Sequence, residues 1–176
     1  RFHMRTLPFR LASLTQKCTA ALLSLAALST PLHLNAQNKA PTINISDGVV
    51  KMGLLLDMNS LYEDVAGMGT VTAVKMAIED FGGKVHGMPI ELVYADHQNK
   101  ADLAGTKARE WFDTQKVDMI GDVAASATAL SAAEVAKQKN KVIIMSGPGT
   151  SRLTNENCSP VSVHYAWDTY ALSAVT

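Results

Sequence analysis

The stretch VDMIGDVAASATALSAAEVAKQKNKVIIMSGPGT, residues 117–150, alternates short apolar runs with loops of small residues. Residues 117–121 and 141–145 are apolar and rich in β-branched side chains, which predicts two parallel strands covered on both faces. Between them, alanines recur with helical spacing and predict a helix with a narrow apolar face. These are Ala129, Ala132, Ala133 and Ala136. The stretch therefore predicts a β-α-β unit.

The loops that leave these two strands contain small side chains and no catalytic group. The first includes Ala124, Ala125 and Ser126, and the second runs over residues 146–150. Open α/β sheets bind ligands at the carboxyl ends of their strands, so we expect both loops to border a site. Small side chains expose backbone N–H groups, and the first loop leads into a helix N-terminus. This pattern predicts a receptacle for an anionic or polar small molecule.

The rest of the chain continues the alternation of strands and helices. Residues 49–57 and 90–96 predict two earlier strands, and residues 70–81 predict a helix with Phe81 on its apolar face. A second helix, with Asp102 as its predicted N-cap, carries an apolar stripe. The stripe consists of Ala104, Ala108, Trp111 and Phe112. We therefore predict an α/β fold with a flavodoxin-like, doubly wound parallel sheet.

The commonest strand order for such a sheet places the first strand between the second and the third. In that order, the loops at residues 58–69 and 122–126 flank one crevice, with the 146–150 loop beside them. Tyr62 then lies at a loop tip above the crevice. Ser126 has two open interpretations, an N-cap of the helix or a contact for a ligand carboxylate.

A cluster of Trp167, Asp168 and Tyr170 follows the fourth predicted strand. Packing of the next helix is the ordinary interpretation of Trp167, whereas Asp168 is harder to place in a core. The sequence contains no GxSxG nucleophile elbow, no phosphate-binding loop and no metal-ligand spacing. We therefore predict no catalytic residues, no metal and no cofactor.

The amino terminus has the composition of a secretory signal peptide. Residues 1–36 contain four basic side chains and no acidic one, with a short apolar run at residues 19–28 and a small residue, Ala36, at the expected cleavage position. An amphipathic or membrane-anchoring helix is the alternative. Residues 37–48 predict a flexible mature N-terminus. The remainder is mildly acidic, which argues against a nucleic-acid partner.

Beyond the predicted signal peptide, Cys158 is the only cysteine. A lone cysteine is unusual in an exported protein. Two possibilities remain open, a buried free thiol or a disulfide with a cysteine outside this chain.

From Val49 onward, the sequence resembles the type I periplasmic solute-binding proteins of ABC transporters, in the branched-chain amino-acid-binding (Leu/Ile/Val) family. The most specific run is DFGGKVHGMPIELVYADHQNKADLA, residues 80–104. VDMIGDVAASATAL, residues 117–130, and NKVIIMSGPGTSRLT, residues 140–154, extend the match. The resemblance implies that residues 49–176 form an incomplete, truncated N-terminal ligand-binding lobe whose second lobe is missing.

The resemblance also implies a periplasmic, monomeric protein that is not an enzyme, holds a small solute between two lobes and delivers it to a membrane permease. It assigns ligand contacts to Ala125, Ser126, Gly147 and Thr150, beside the candidates Tyr62, Asp168 and Tyr170. Glycines around Pro148 depart from the amino-acid binders, and residues 146–154 and 168–173 resemble the SGxxTSxLT and DTYALA patterns of binders of aromatic or other organic acids and amides. A ligand-sensing receptor ectodomain and a flavodoxin-like enzyme are the alternatives.

Overall fold

The computed structural model describes residues 47–165 and 167–175. The strands are β1 (Val50–Leu56), β2 (Lys84–Val85), β3 (Met88–Asp96), β4 (Met119–Gly121), β5 (Val142–Met145) and β6 (Ser162–His164). The helices are α1 (Glu63–Ala66), α2 (Met68–Asp80), α3 (Ala101–Asp113), α4 (Ser126–Lys139) and α5 (Thr169–Val175), with a 3₁₀ turn at Ser151–Leu153. The signal peptide and most of the N-terminal segment predicted from the sequence lie outside the described residues.

These strands form one six-stranded sheet in the order β2-β3-β1-β4-β5-β6. β1 pairs in parallel with β3 on one side and with β4 on the other. The predicted doubly wound α/β sheet is therefore confirmed. The place of the first strand between the second and third predicted strands, β3 and β4, is confirmed as well. The strands that follow β1 in sequence first add to one side of it, up to β3, and then to its other side, from β4 onward. The switch point between β1 and β4 is where a ligand crevice is expected.

The two faces of the sheet have separate apolar cores. One face packs against α3 and α4 and buries Leu55, Ile120 and Ile143, together with all four alanines of the predicted helical stripe on α4. The other face packs against α2 and buries Leu54, Leu56 and Val71. On this second face, Val142, Ile144 and Val163 of β5 and β6 remain 36–45% exposed.

Gly53 of β1 allows an unusually close approach between the sheet and α3. A Cβ atom built on Gly53 would lie 2.5 Å from Cζ3 and 2.6 Å from Cε3 of Trp111. The Trp111 ring therefore lies directly on the β1 backbone, and any larger residue at position 53 overlaps it.

Several local expectations need correction. β2 and β3 form a small antiparallel hairpin, because His86 and Gly87 both adopt positive φ and turn the chain tightly. Phe81 is 67% exposed, since it follows the last residue of α2 rather than continuing its buried face. Asp102 is not an N-cap: Lys100 takes that position, and Asp102 lies in the first turn, where an acidic side chain still favours the helix dipole.

Besides β2, the short elements α1 and β6 were not predicted. α1 lies within the residue 58–69 segment that the sequence indicates as a loop, and β6 pairs in parallel with β5. Cys158 is exposed and is a free thiol among the described residues, so the buried-thiol interpretation is wrong. In the part of the chain that the structure covers, no helix is both long enough and apolar enough to cross a bilayer.

Candidate functional site

A cleft of about 510 Å³ opens at the carboxyl ends of β1, β4 and β5, at the switch point of the sheet. Three loops and the segment before α5 form its walls. Its lining consists of Tyr62, Val65, Ala66, Asp122, Ala124, Ser126, Ser146, Gly147, Gly149 and Trp167. The structure thus brings together the loops that the sequence predicted to flank one crevice.

One wall of the cleft is the segment after β1, and the buried carboxylate of Asp57 holds it in place. Asp57 accepts hydrogen bonds from the backbone N–H of Tyr62 at 2.9 Å and of Ser60 at 3.1 Å. It also accepts the Ser60 hydroxyl, 2.6 Å from Oδ2. Asp96, at the end of β3, accepts the Met58 N–H at 3.2 Å. The two strand-end acids therefore order the wall that carries Tyr62, which is a structural role.

The Asp57 carboxyl is fully buried, and burial alone would raise its pKa. The hydrogen bonds from Ser60 and Tyr62, together with the nearby His97, outweigh burial and hold the pKa of Asp57 below its usual value. The carboxylate therefore stays ionised at neutral pH, where it is the better acceptor for these donors.

His97 lies directly after β3 and is 1% exposed. The backbone N–H of His97 donates to the Leu56 carbonyl, and the ring Nδ1 accepts the backbone N–H of Asn99 at 3.0 Å. Its Nε2 has no hydrogen-bond partner among the described residues. Burial lowers the pKa of His97 below its ordinary value, although the carboxylates of Asp57, Asp96 and Asp122 act in the opposite direction.

This depressed pKa predicts acid sensitivity of the fold. The unfolded chain takes up a proton at His97 near pH 6.5, whereas the folded chain resists protonation to lower pH. Stability is therefore expected to fall as the pH drops below about 6.5, until the folded-state pKa is passed. Thermal unfolding of His97→Asn, which retains an acceptor for Asn99, should show a shallower decline of Tm between about pH 7.5 and 5.5 than the parent chain.

The matched control for this experiment is His86→Asn. His86 is exposed, and its positive φ is one that asparagine also tolerates. Equal pH slopes for the parent chain and His97→Asn, or an equally shallow slope for His86→Asn, would contradict the assignment to His97.

The floor of the cleft is formed where the loops after β4 and β5 meet. Ser146 Oγ donates to Asp122 Oδ1 at 2.6 Å, and the Asp122 N–H donates to the Ile144 carbonyl at 2.8 Å. A Cβ atom on Gly147 would lie 2.8 Å from the Cα atom of Ala124. Only glycine at position 147 allows these two loops to pack this closely.

The N-terminus of α4 faces the cleft through Ser126. Ala125, which is buried, occupies the N-cap position, and Ser126 is the first helical residue. Because the Ser126 hydroxyl makes no hydrogen bond within the described residues, the structure does not support its interpretation as an N-cap. The hydroxyl and the free N–H groups of the first helical turn are available to a ligand.

The remaining predicted site residues lie at or beyond the rim. Thr150 Oγ1 accepts the Arg152 N–H at 3.3 Å and caps the 3₁₀ turn. Asp168 Oδ1 accepts the Ala171 N–H at 2.7 Å at the start of α5. Tyr170 is 76% exposed. None of the three belongs to the lining of this half of the cleft.

Two lining residues, Trp167 and Asp122, were not among the individual ligand contacts predicted from the sequence. Trp167, expected to pack in a core, is half-exposed, and its Nε1 lies 3.9 Å from a Cβ built on Gly149. Asp122 follows β4 directly and carries the only formal charge in the described lining. An acid directly after a buried strand and before a small-residue loop was the available signal for Asp122. Within the described residues, no group of histidine, cysteine and acidic side chains could hold a metal ion.

Comparison with known protein families identifies the family of the chain. The model of the periplasmic binding protein family matches residues 49–176. The chain belongs to this family. Two of its solved relatives are described as a periplasmic binding protein and a periplasmic ligand-binding protein.

Solved structures of other periplasmic binding proteins share the fold. A protein from Burkholderia mallei is 56% identical, with a TM-score of 0.70, over 72% of this chain and 34% of the other. A branched-chain amino acid ABC transporter ligand-binding protein from Burkholderia xenovorans is 42% identical, with a TM-score of 0.65, over 68% of this chain and 32% of the other. This periplasmic binding protein chain therefore spans about a third of the length of these relatives. A comparison with curated proteins gave no match.

A third relative adds chemical detail. A solute-binding protein from Rhodopseudomonas palustris, solved in complex with 3,4-dihydroxybenzoic acid, is 28% identical, with a TM-score of 0.62, over 69% of this chain and 32% of the other.

Proposed function

We propose that this chain is the N-terminal ligand-binding lobe of an extracytoplasmic solute-binding protein that serves an ABC transporter. The observation that carries the proposal is the cleft at the β1/β4 switch point, with α4 opening into it. Two relatives of the chain are described as periplasmic binding proteins, one of them from a branched-chain amino acid ABC transporter. In this proposal, residues 1–36 act as a signal peptide, and a membrane permease receives the solute.

The proposed ligand is a small carboxylate-bearing solute, either a branched-chain amino acid or an aromatic acid. One relative was solved with 3,4-dihydroxybenzoic acid, and another is described as a branched-chain amino acid ABC transporter ligand-binding protein. Small side chains at Ala124, Ala125 and Gly147 leave room for a ring or a branched chain. Tyr62 and Trp167 contribute two aromatic side chains to the lining. A second lobe would close the site, since half-exposed Trp167 leaves the cleft open to solvent.

In this proposal the ligand carboxylate meets the N-terminus of α4. The first N–H groups of a helix have no intrahelical partner, and the dipole favours an anion there. Ser126 adds a hydroxyl donor at the first helical position. Ala125 and Gly147 contribute backbone rather than side-chain contacts. Thr150, Asp168 and Tyr170 remain proposed contacts that depend on closure by the second lobe.

Substitutions at Ser126 test the proposed carboxylate site. Ser126→Ala is expected to weaken binding about 10- to 100-fold, the value of one charged hydrogen bond. Ser126→Asp is expected to weaken it further, because its carboxylate competes for the anion position. Stability should not fall in Ser126→Asp, since an acid in the first turn favours the helix dipole. Calorimetric titration with isoleucine and 4-hydroxybenzoate, on the longest form of the protein that the gene encodes, measures both affinities.

Ala127→Asp is the matched control. Ala127 is exposed and outside the lining of the cleft. Its replacement by aspartate therefore adds the same charge one residue further along α4. Equal losses of affinity in Ser126→Asp and Ala127→Asp would indicate a general charge effect and remove Ser126 from the site. Absence of binding to any small acid or amide by the unsubstituted protein would contradict the proposed function itself.

A further inference from the structure

The cleft has an electrostatic feature that a site for a simple anion does not explain. Asp122 is the only lining side chain with a formal charge, and no lysine, arginine or histidine lies in the described lining. A carboxylate in a partly enclosed cleft repels a bare anion and attracts a cation or a hydrogen-bond donor. The charge of this half-site therefore restricts which acids it accepts.

The backbone conformation at Asp122 does not by itself require an acidic side chain. Asp122 has φ of +49°, a left-handed conformation that glycine and asparagine adopt as readily as aspartate. Glycine or asparagine would satisfy the turn without placing a charge on the floor of the cleft. The turn thus explains the conformation of Asp122 but not its carboxylate.

The hydrogen bonds at Asp122 leave part of that carboxylate available. Ser146 Oγ donates to Oδ1 at 2.6 Å and fixes the orientation of the group. Its Oδ2 accepts no hydrogen bond from the described residues, and the side chain is partly exposed to the cleft. An oriented carboxylate with one free oxygen is an acceptor for a ligand hydroxyl or ammonium group.

We infer that Asp122 is a specificity-determining residue that selects acids carrying a second, hydrogen-bond-donating group. The inference rests on the proposed solute-binding function and narrows its ligand class. The acid group of the ligand meets the N-terminus of α4, and its hydroxyl or ammonium group donates to Asp122 Oδ2. Acids without such a donor leave the Asp122 carboxylate unpaired against the ligand and bind more weakly.

Two pairs of probes isolate the donor group. 4-Hydroxybenzoate and benzoate differ by one hydroxyl, and isoleucine and 3-methylpentanoate differ by one ammonium group. The longest form of the protein that the gene encodes is titrated with all four by calorimetry. We expect the donor-bearing member of at least one pair to bind roughly 10-fold or more tightly than its partner, as one hydrogen bond to a charged group implies.

Asp122→Asn is the decisive variant. Asparagine tolerates the positive φ and still accepts the Ser146 hydroxyl, so the turn is kept while the charge is lost. We expect the affinity ratio within the discriminated pair to fall towards one, with the donor-free acid binding as well as before or better. Asp80→Asn, an exposed acid at the end of α2, makes the same charge change outside the lining and should leave both ratios unchanged.

The outcomes separate the inference from the function on which it rests. If the probes bind but the affinity ratio within each pair is the same in Asp122→Asn as in the parent protein, the role of Asp122 is overturned. The solute-binding function then remains intact. Tighter binding of the donor-free member in both pairs would do the same. If none of the four probes and no other small acid or amide binds, the proposed function fails and the role of Asp122 fails with it.

Discussion

Replacement of Asp57 by alanine is expected to lower the free energy of unfolding by about 2–4 kcal/mol, because two backbone N–H groups and a hydroxyl lose their acceptor at a buried position. The N–H groups belong to Ser60 and Tyr62, and Asp57 itself is fully buried. The same substitution should loosen the wall of the cleft that carries Tyr62. Urea denaturation measures the loss of stability, and faster amide hydrogen exchange at residues 58–66 measures the loss of order.

Ser60→Ala is the matched control for Asp57→Ala. It removes the hydroxyl donor while leaving both backbone hydrogen bonds to Asp57, so the expected cost is only about 1 kcal/mol. Similar losses in the two variants would show that Asp57 does not hold the backbone of this segment. Unchanged exchange at the Tyr62 amide in Asp57→Ala would lead to the same conclusion.

Replacement of Gly53 by alanine is expected to destabilise the fold by at least about 1–3 kcal/mol, the usual cost of overpacking a core. The added methyl group would lie 2.5 Å and 2.6 Å from two ring atoms of Trp111 and 3.3 Å from Cγ1 of Val117. Because the indole ring is rigid and buried in the core on the face of the sheet covered by α3 and α4, it cannot move without displacing its neighbours. Urea denaturation should show a lower midpoint, and the fluorescence of Trp111 should change in the folded state.

Gly69→Ala provides a control of opposite sign. A Cβ atom at position 69 in α2 meets no atom within 4 Å. Alanine is favoured over glycine in a helix by up to about 1 kcal/mol, so this variant should be neutral or more stable. A Gly53→Ala protein as stable as Gly69→Ala would contradict the close packing of Trp111 on β1.

The part of the fold that sequence reasoning recovered is the part encoded by strong periodicity. The alanine stripe of α4 and the stripe from Ala104 to Phe112 on α3 are buried as predicted. Continuous apolar runs are typical of parallel strands, so β1 and β5 were recognisable without long-range information. The expectation that the second strand of the 117–150 stretch is covered on both faces is wrong, because Val142 and Ile144 of β5 are 43% and 36% exposed. The order of the strands then followed from the general behaviour of alternating β and α segments.

Two short strands escaped prediction for different reasons. β2 contains two residues and depends on the tight turn at His86 and Gly87, whereas β6 contains three and depends on the free edge of β5. Asp102 failed as a predicted N-cap because left-handed residues Gln98 and Asn99 start the turn earlier. Asn99 tolerates this conformation, but the signal is weak because neither residue is glycine.

The same distinction applies to the site. The loops that surround the cleft were predictable from the position of small residues after strands. The role of Asp57 was not, because it depends on three donors folding back onto one carboxylate. The place of Trp167 in the wall depends on β6, where His164 Nε2 donates to the Pro148 carbonyl of the neighbouring loop. The place of Trp167 therefore emerges only from the assembled sheet.

The parallel pairing of β1 also has a consequence for the kinetics of folding. Val50 pairs with Ile90 and Met52 with Met119, so neither side of β1 can form without closing a long stretch of chain. Such non-local closures make folding slow. The cleft lies between β1 and β4 and exists only once the second closure is complete. A solute bound there cannot speed the early steps of folding, and its stabilisation is expected as a slower rate of unfolding.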